Sequence, residues 1–273
     1  MSKPQPRELM VESTQRITPN MQRVVLTGES LADFPADSKS GYVKLQFAAD
    51  GAPLTLATQE EGVKPTMRSY TVREIDVAAR KLTLDMMLHG HSESAGAANS
   101  GPAGQWAEVA KTGDRILVGG PGPTKLIPQP ADYYLLVGDM TALPAIAGNL
   151  ELLPADAKGV AIIEVVSADD VQTIDCPEGV HIEWVIADDL APAADHQARA
   201  DASLLVQTAL NVAWPAGKVA VWAACEFHKM RALRRYFRNE KGLSGDEMYI
   251  SSYWMLDRTD EQHKQSKKTD AEA

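Results

Sequence analysis

The chain has 273 residues, 44% of them hydrophobic and 23% charged, enough apolar surface for two globular cores. Thirty-seven acidic against 27 basic residues give a formal net charge of −10, so the molecule as a whole repels nucleic acid and anionic membrane, and an anionic partner must be met by local cations. Two cysteines, Cys176 and Cys225, exclude a disulfide framework; no apolar run approaches the roughly 20 residues that span a bilayer, and "MSKPQPRELM" has no apolar signal core, so the expected compartment is a reducing cytoplasm.

Residues 1–125 read as strands. "RELMVESTQRITPNMQRVVLTG" is two strand-like pieces around the turn signal Thr18-Pro19-Asn20, and "GYVKLQF" is a third. "MRSYTVRE" is strand-like too, but places Arg68 and Arg73 around Tyr70 and Thr71. In "KLTLDMMLHG", Leu82, Leu84, Met86 and Leu88 alternate with Lys81, Thr83, Asp85 and Met87, the period of a strand with one buried face. Short antiparallel strands in this number predict a small barrel. "GPAGQWA" then predicts a short helix whose unpaired backbone N–H groups can hold a phosphate.

Past the Pro- and Gly-rich "GGPGPTKLIPQPAD" the period changes, which sets a domain boundary between 1–125 and 126–273. The apolar runs "YYLLVGD", "GVAIIEVV", "HIEWVIAD" and "GKVAVWAAC" alternate with helical segments, as in a parallel sheet covered on both faces. "VGDMTALPAI" turns from strand to helix at Gly138-Asp139, with Thr141 placed as an N-cap; no Gly-x-Gly-x-x-Gly accompanies it, which excludes a Rossmann fingerprint. In "FHKMRALRRYFRNEKG", Phe227, Met230, Leu233 and Phe237 make a buried helical stripe, Arg231, Arg234, Arg235 and Arg238 another face, and Gly242 a C-cap. "MYISSYW" predicts a closing strand, and the polar end after it a frayed tail.

Taken alone, each motif has an ordinary structural reading. Arg68 and Arg73 can be solvated strand residues paired with Glu74 or Asp76, and "HGH" at His89 and His91 lacks further ligands at metal spacing. Their order, however, is specific: "RSYTVR", "LHG", "GPAGQWA", "GDRILVGGPGP", "VGDMTALPAI", "WAACEFHKMRALRRYFRNEKGL" and "YISSYW" resemble the siderophore-interacting protein family, ferric-siderophore reductases of the ferredoxin reductase superfamily, from about Arg7 to Trp254. The chain departs from the family pattern at Met140, at Ala224-Cys225-Glu226, in the insert "HSESAGAANS" and in the ending "YWMLDRTDE".

The resemblance implies an antiparallel flavin barrel followed by a nicotinamide-binding α/β domain, with FAD and NADH or NADPH as cofactors. FAD contacts carried over are Arg68, Ser69, Tyr70, Thr71 and Arg73, then His89, and Gly101, Pro102, Ala103, Gln105 and Trp106. Tyr70 and Thr71 would line the flavin N5, and no side chain is required as acid or base. Gly138, Asp139, Thr141, Cys225 and Glu226 fall on the nicotinamide side. Lys44, Lys125 and Arg258 would dock an anionic ferric siderophore, or are solvated surface charges. Asp169 and Asp170, after the second α/β strand, would repel a 2′-phosphate, so NADH is the expected donor, unless Arg199 and the arginines of the last helix reverse that preference. Two other readings share part of this evidence: a flavin or ferredoxin reductase, with ferredoxin as partner, and a siderophore carrier without catalysis.

Overall fold

The structure is a computed structural model and describes residues 5–88, 101–187 and 195–271. The chain folds as two compact units, Met1–Lys125 and Leu126–Ala273. Among the described residues no helix is long and apolar enough to cross a membrane.

The described residues of the first unit form an antiparallel sheet of seven strands: β1 (Arg7–Thr18), β2 (Met21–Thr27), β3 (Tyr42–Phe47), β4 (Thr66–Thr71), β5 (Glu74–Asp76), β6 (Lys81–Met87) and β7 (Arg115–Gly122), in the order β4-β3-β7-β1-β2-β6-β5. The two edge strands, β4 and β5, are consecutive in the chain, so the sheet curls until its edges meet through Val72-Arg73, and the Arg73 N–H reaches the Thr83 carbonyl at 3.0 Å. Alternating residues of β2, β3 and β6 fill the interior, Leu82, Leu84 and Met86 among them. The second face of β6 is covered as well at Asp85, whose carboxylate takes both nitrogens of Arg23, its cross-strand partner, at 2.7 Å, with Arg73 at 3.8 Å. A carboxylate this buried needs such pairing, because desolvation penalises an isolated charge by several kcal/mol. The helix α1 (Pro102–Val109) packs Ala103, Trp106 and Ala107 into the barrel.

The described residues of the second unit form a five-stranded parallel sheet, β8 (Tyr133–Gly138), β9 (Gly159–Val165), β10 (Val180–Ile186), β11 (Val219–Glu226) and β12 (Met248–Trp254), ordered β10-β9-β8-β11-β12. Successive residues of the central strands alternate between two cores: Leu136, Ile163 and Trp222 lie on the side of α2 (Leu143–Glu151), and Val137, Ile162 and Val221 on the side of α4 (Leu204–Leu210) and α5 (Phe227–Arg235). That double burial is why these strands read as unbroken apolar runs. The order reverses between β8 and β11, the place in an open α/β sheet where a crevice forms outside the strand carboxyl ends.

Two details differ from expectation. The polar end is not frayed: α6 (Asp260–Ala271) lies against β12, with His263 buried and its Nε2 2.8 Å from the Ser252 hydroxyl, while Asp270 holds Arg231 and Arg234 at 3.2 and 2.7 Å. Its contacts are polar, so no apolar periodicity announced it. The segment after α5 winds one turn of π-helix, Tyr236–Glu240, before Gly242 turns the chain at φ 71°.

Sheet closure in the second unit depends on Gly159, where a Cβ would stand 2.1 Å from the Tyr134 carbonyl oxygen. A backbone atom cannot step aside as a side chain does, so Gly159→Ala is expected to lower stability by about 1–3 kcal/mol or more, read as a fall in the urea midpoint. An unchanged midpoint would show that β8 and β9 separate without cost.

Candidate functional site

In the barrel, β4 sorts its residues by face. Arg68 and Tyr70 stand opposite Leu45 and Val43 of β3, on the core side, whereas Ser69 and Thr71 stand opposite Lys44 and Tyr42. Tyr70 packs against the core, and burial pushes its phenol up to about 12 against the pull of Arg68, so its hydroxyl stays neutral at physiological pH. Arg68 donates from Nη1 to the Met67 carbonyl at 3.0 Å. Its Nε also lies 3.7 Å from where a Cβ on Gly101 would stand, so the strand motif and the loop motif meet.

Gly101 is the N-cap of α1 and Pro102 its first residue, where a missing N–H loses nothing. The Gln105 N–H already reaches the Gly101 carbonyl at 3.2 Å. Ala103 and Gly104, just before it, have no intrahelical acceptor, no side chain caps the helix, and its first turn has no acidic residue. A guanidinium beside an uncapped helix N-terminus is a cradle for an anion. The side chains of Ala103 and Trp106 are buried in the barrel core, Trp106 edge-on to Phe47, and the start of α1 presents backbone. Gln105 is exposed on the next turn.

On the other face of β3, the Tyr42 ring lies where a Cβ on Gly122 would be, and Lys44 Nζ sits 5.9 Å from that ring's centroid, one strand from Ser69. Ser69 is exposed and Thr71 buried. Arg73 faces the Asp85 carboxylate, while Glu74 pairs with Lys39 at 2.9 Å and Asp76 accepts from the Ala79 N–H. Lys125 is exposed at the end of the first unit, and Arg258 is exposed in the second, just ahead of α6. His89 lies outside the described residues.

In the second unit the side chains expected on the nicotinamide side are engaged within the protein. Asp139 is buried, with Oδ1 accepting from the N–H and hydroxyl of Thr141, and Oδ2 from the Glu226 N–H at 2.9 Å and the Trp254 indole at 2.8 Å. Four bonds occupy a carboxylate's acceptor capacity, so Asp139 is a strut joining β8, β11 and β12 and has no acceptor left over for a ligand. The N-cap of α2 is Ala142, and the Thr141 hydroxyl is spent on Asp139. Glu226 is itself the N-cap of α5: it accepts from the N–H groups of His228, Lys229 and Leu256 and faces His228 Nδ1 at 3.0 Å. Cys225 is fully buried, and burial followed by the Asp139 charge pushes its thiol well up, so it is no thiolate nucleophile. Gly138 is required by packing, since a Cβ there would stand 2.7 Å from the Ala224 carbonyl and 2.8 Å from Ile146.

What the motifs missed is a cleft of about 110 Å³ lined by His196, Arg199, His228, Lys229 and Trp254. These residues come from α3 (His196–Ala202), α5 and the end of β12, and no spacing in the chain links them. Among the described residues no cluster of three or more His, Cys, Asp or Glu could hold a metal.

An antiparallel barrel with an anion cradle, followed by a parallel sheet with a switch-point crevice, defines the two-domain architecture of flavin- and nicotinamide-dependent oxidoreductases. Residues 10–125 match the model of the siderophore-interacting FAD-binding domain and residues 131–257 that of the siderophore-interacting protein. The ferric vibriobactin reductase ViuB of Vibrio cholerae is 31% identical, over 94% of this chain and 92% of its own length. An NADPH-dependent ferric-chelate reductase of Escherichia coli is 29% identical, over 91% and 92%. The siderophore-interacting protein SipS from Aeromonas hydrophila superposes with a TM-score of 0.81 at 28% identity, covering 98% of this chain and 99% of that one. The chain belongs to the siderophore-interacting protein family, and FAD is the cofactor of its first unit.

The cradle fits such a cofactor, since FAD carries a pyrophosphate, and Arg68 with the α1 N-terminus is an anion site without an anion of the protein's own in its first turn. Arg68→Ala is expected to weaken FAD binding by about 1.5–3 kcal/mol, roughly 10- to 150-fold in Kd, read by flavin fluorescence on titration of the apoprotein. An unchanged Kd would move the pyrophosphate away from Arg68.

Proposed function

We propose that this chain is a cytoplasmic ferric-siderophore reductase that takes hydride from a nicotinamide nucleotide and passes electrons to the iron of an anionic ferric siderophore. The observation that carries the reading is the meeting of Arg68 with the uncapped N-terminus of α1 in a barrel of this family. The ViuB and Escherichia coli relatives, named as ferric vibriobactin and NADPH-dependent ferric-chelate reductases, support the acceptor and the donor.

FAD, when bound, joins two-electron hydride chemistry to one-electron reduction of iron. The protein's part is binding and orientation. Arg68 and the N–H groups of Ala103 and Gly104 would hold the pyrophosphate, and neutral Tyr70 with Thr71 would line the flavin. The second unit takes the nicotinamide at the carboxyl edge of its sheet. Neutral Tyr70 and a buried, protonated Cys225 leave these positions without a proton carrier at physiological pH, which suits a reaction that moves electrons and needs no acid or base.

The substrate's charge is answered locally. Lys44 on β3 stands opposite exposed Ser69 of β4 and supplies a cation near the flavin strand of a protein with net charge −10. Attraction of this kind is screened over about 8–10 Å at physiological ionic strength, so it acts at the point of docking.

Anaerobic mixing separates the half-reactions. A nicotinamide is expected to bleach the flavin absorbance, and a ferric siderophore then to restore it with Fe(II) appearing in a ferrozine trap. Reoxidation by free flavin or ferredoxin but by no ferric chelate would overturn the reading. In the same apparatus Lys44→Glu should raise the apparent KM for an anionic ferric siderophore and flatten its salt dependence, leaving flavin reduction unchanged. A wild-type KM and salt slope would return Lys44 to the solvated surface.

A further inference from the structure

We infer that the cleft between α3 and α5 seats the 2′-phosphate of an NADP-type nucleotide, with Arg199 as the residue that distinguishes NADPH from NADH. The inference rests on the reading of the second unit as the nicotinamide site and adds the substrate's identity.

Location comes first. Glu226 and Trp254, on the wall of this cleft, are the last residues of β11 and β12, so the cleft opens at the strand carboxyl ends, where ligands of open α/β sheets bind. Lys229 is spent on Glu164, its Nζ lying 2.6 and 2.7 Å from the two carboxylate oxygens. The Ser203 hydroxyl donates to the Ala200 carbonyl and accepts from the Val206 N–H. The Trp254 indole is held by Asp139. Glu226 brings a negative charge, but three backbone N–H groups and His228 saturate it at the N-terminus of α5, where the helix dipole also offsets it. Arg199 remains, half-buried and without a carboxylate partner among the described residues.

A guanidinium with no carboxylate across from it in a cleft suits a phosphate, which its fork can meet with two parallel hydrogen bonds. Beside it, the His196 and His228 rings stack with centroids 5.4 Å apart. Glu226 engages Nδ1 of His228 and leaves Nε2 as the ring's remaining nitrogen. The arginine face of α5 is a poorer seat, because Arg231, Arg234 and Arg235 are already paired with Asp270 or Asp201. The acidic loop after β9 opposes a phosphate less than its sequence suggests, because Asp170 is buried and accepts from the N–H and hydroxyl of Ser167, leaving only Asp169 of the pair exposed.

The test is calorimetric titration of the flavin-loaded protein with 2′,5′-ADP and with 5′-AMP, which differ only in the 2′-phosphate. The wild type is expected to bind 2′,5′-ADP more tightly. Arg199→Met should weaken 2′,5′-ADP about tenfold, the loss of a charge-assisted contact, and leave 5′-AMP unchanged; Arg199→Lys should recover part of the loss. Equal wild-type affinities for the two nucleotides, or an Arg199→Met loss shared equally by both, would overturn the phosphate assignment while the nucleotide site stands. If neither nucleotide binds the wild type, the nicotinamide reading of this unit fails and the inference fails with it. Because Arg199 has no carboxylate partner to orphan among the described residues, its variants should keep the wild-type melting temperature, so a changed affinity cannot be laid to unfolding.

Discussion

The second unit is organised by one buried carboxylate. Asp139 leaves the end of β8 and is met by the hydroxyl and N–H of the turn that starts α2, by the backbone of β11 and by the indole of β12. A charge removed from water is tolerated only when fully bonded, so the three strand ends must arrive together for any of them to be stable. That constraint sets the floor of the crevice. It also places Glu226, whose own N–H is held by Asp139, to cap α5 and to carry His228 toward the cleft.

The barrel handles its charges by the same logic with a different outcome. Asp85 is buried and receives Arg23 and Arg73, so Arg73 offsets a charge inside the protein. Arg68, five residues earlier and on the same strand motif, is placed beside a helix end that carries no acidic residue and no side-chain cap. Two arginines in one motif thus serve two ends, and the difference is the partner each meets across the sheet. α1 stays where it is because Ala103, Trp106 and Ala107 are packed in the core, which leaves its backbone to face a ligand.

On a chain of net charge −10, anion recognition has to come from cations that the protein leaves unneutralised. Lys229 in the second unit's cleft, Arg231, Arg234 and Arg235 on the outer face of α5, and Arg23 and Arg73 in the barrel are tied to carboxylates. The proposed seats of nucleotide phosphate and ferric chelate rest instead on Arg199 and Lys44, which have no carboxylate partner among the described residues, and that of the pyrophosphate on Arg68 beside the uncapped start of α1.

The alternation of Leu82, Leu84 and Met86, the unbroken apolar runs of β8, β9 and β11, and the Gly- and Pro-rich stretch between them were legible in the sequence, because periodicity and turn chemistry are local. The strand "RSYTVR" and the loop "GPAGQWA" were legible as motifs of a flavoprotein family. Only tertiary structure decided what each polar side chain does. Asp139 and Glu226, named from the sequence on the nicotinamide side, have acceptors taken by residues 87 and 115 positions away in one case and by a helix start and Leu256 in the other, which no motif announced. α6 looked like a solvated tail because its anchors, His263, Lys267 and Asp270, are polar and give no apolar period. Arg199 and Glu226 were named from the sequence on the nicotinamide side, but the cleft that joins them had no signature, since its walls come from elements that touch only after the sheet has formed; a sequence records which groups are present, and the fold alone determines which of them come together.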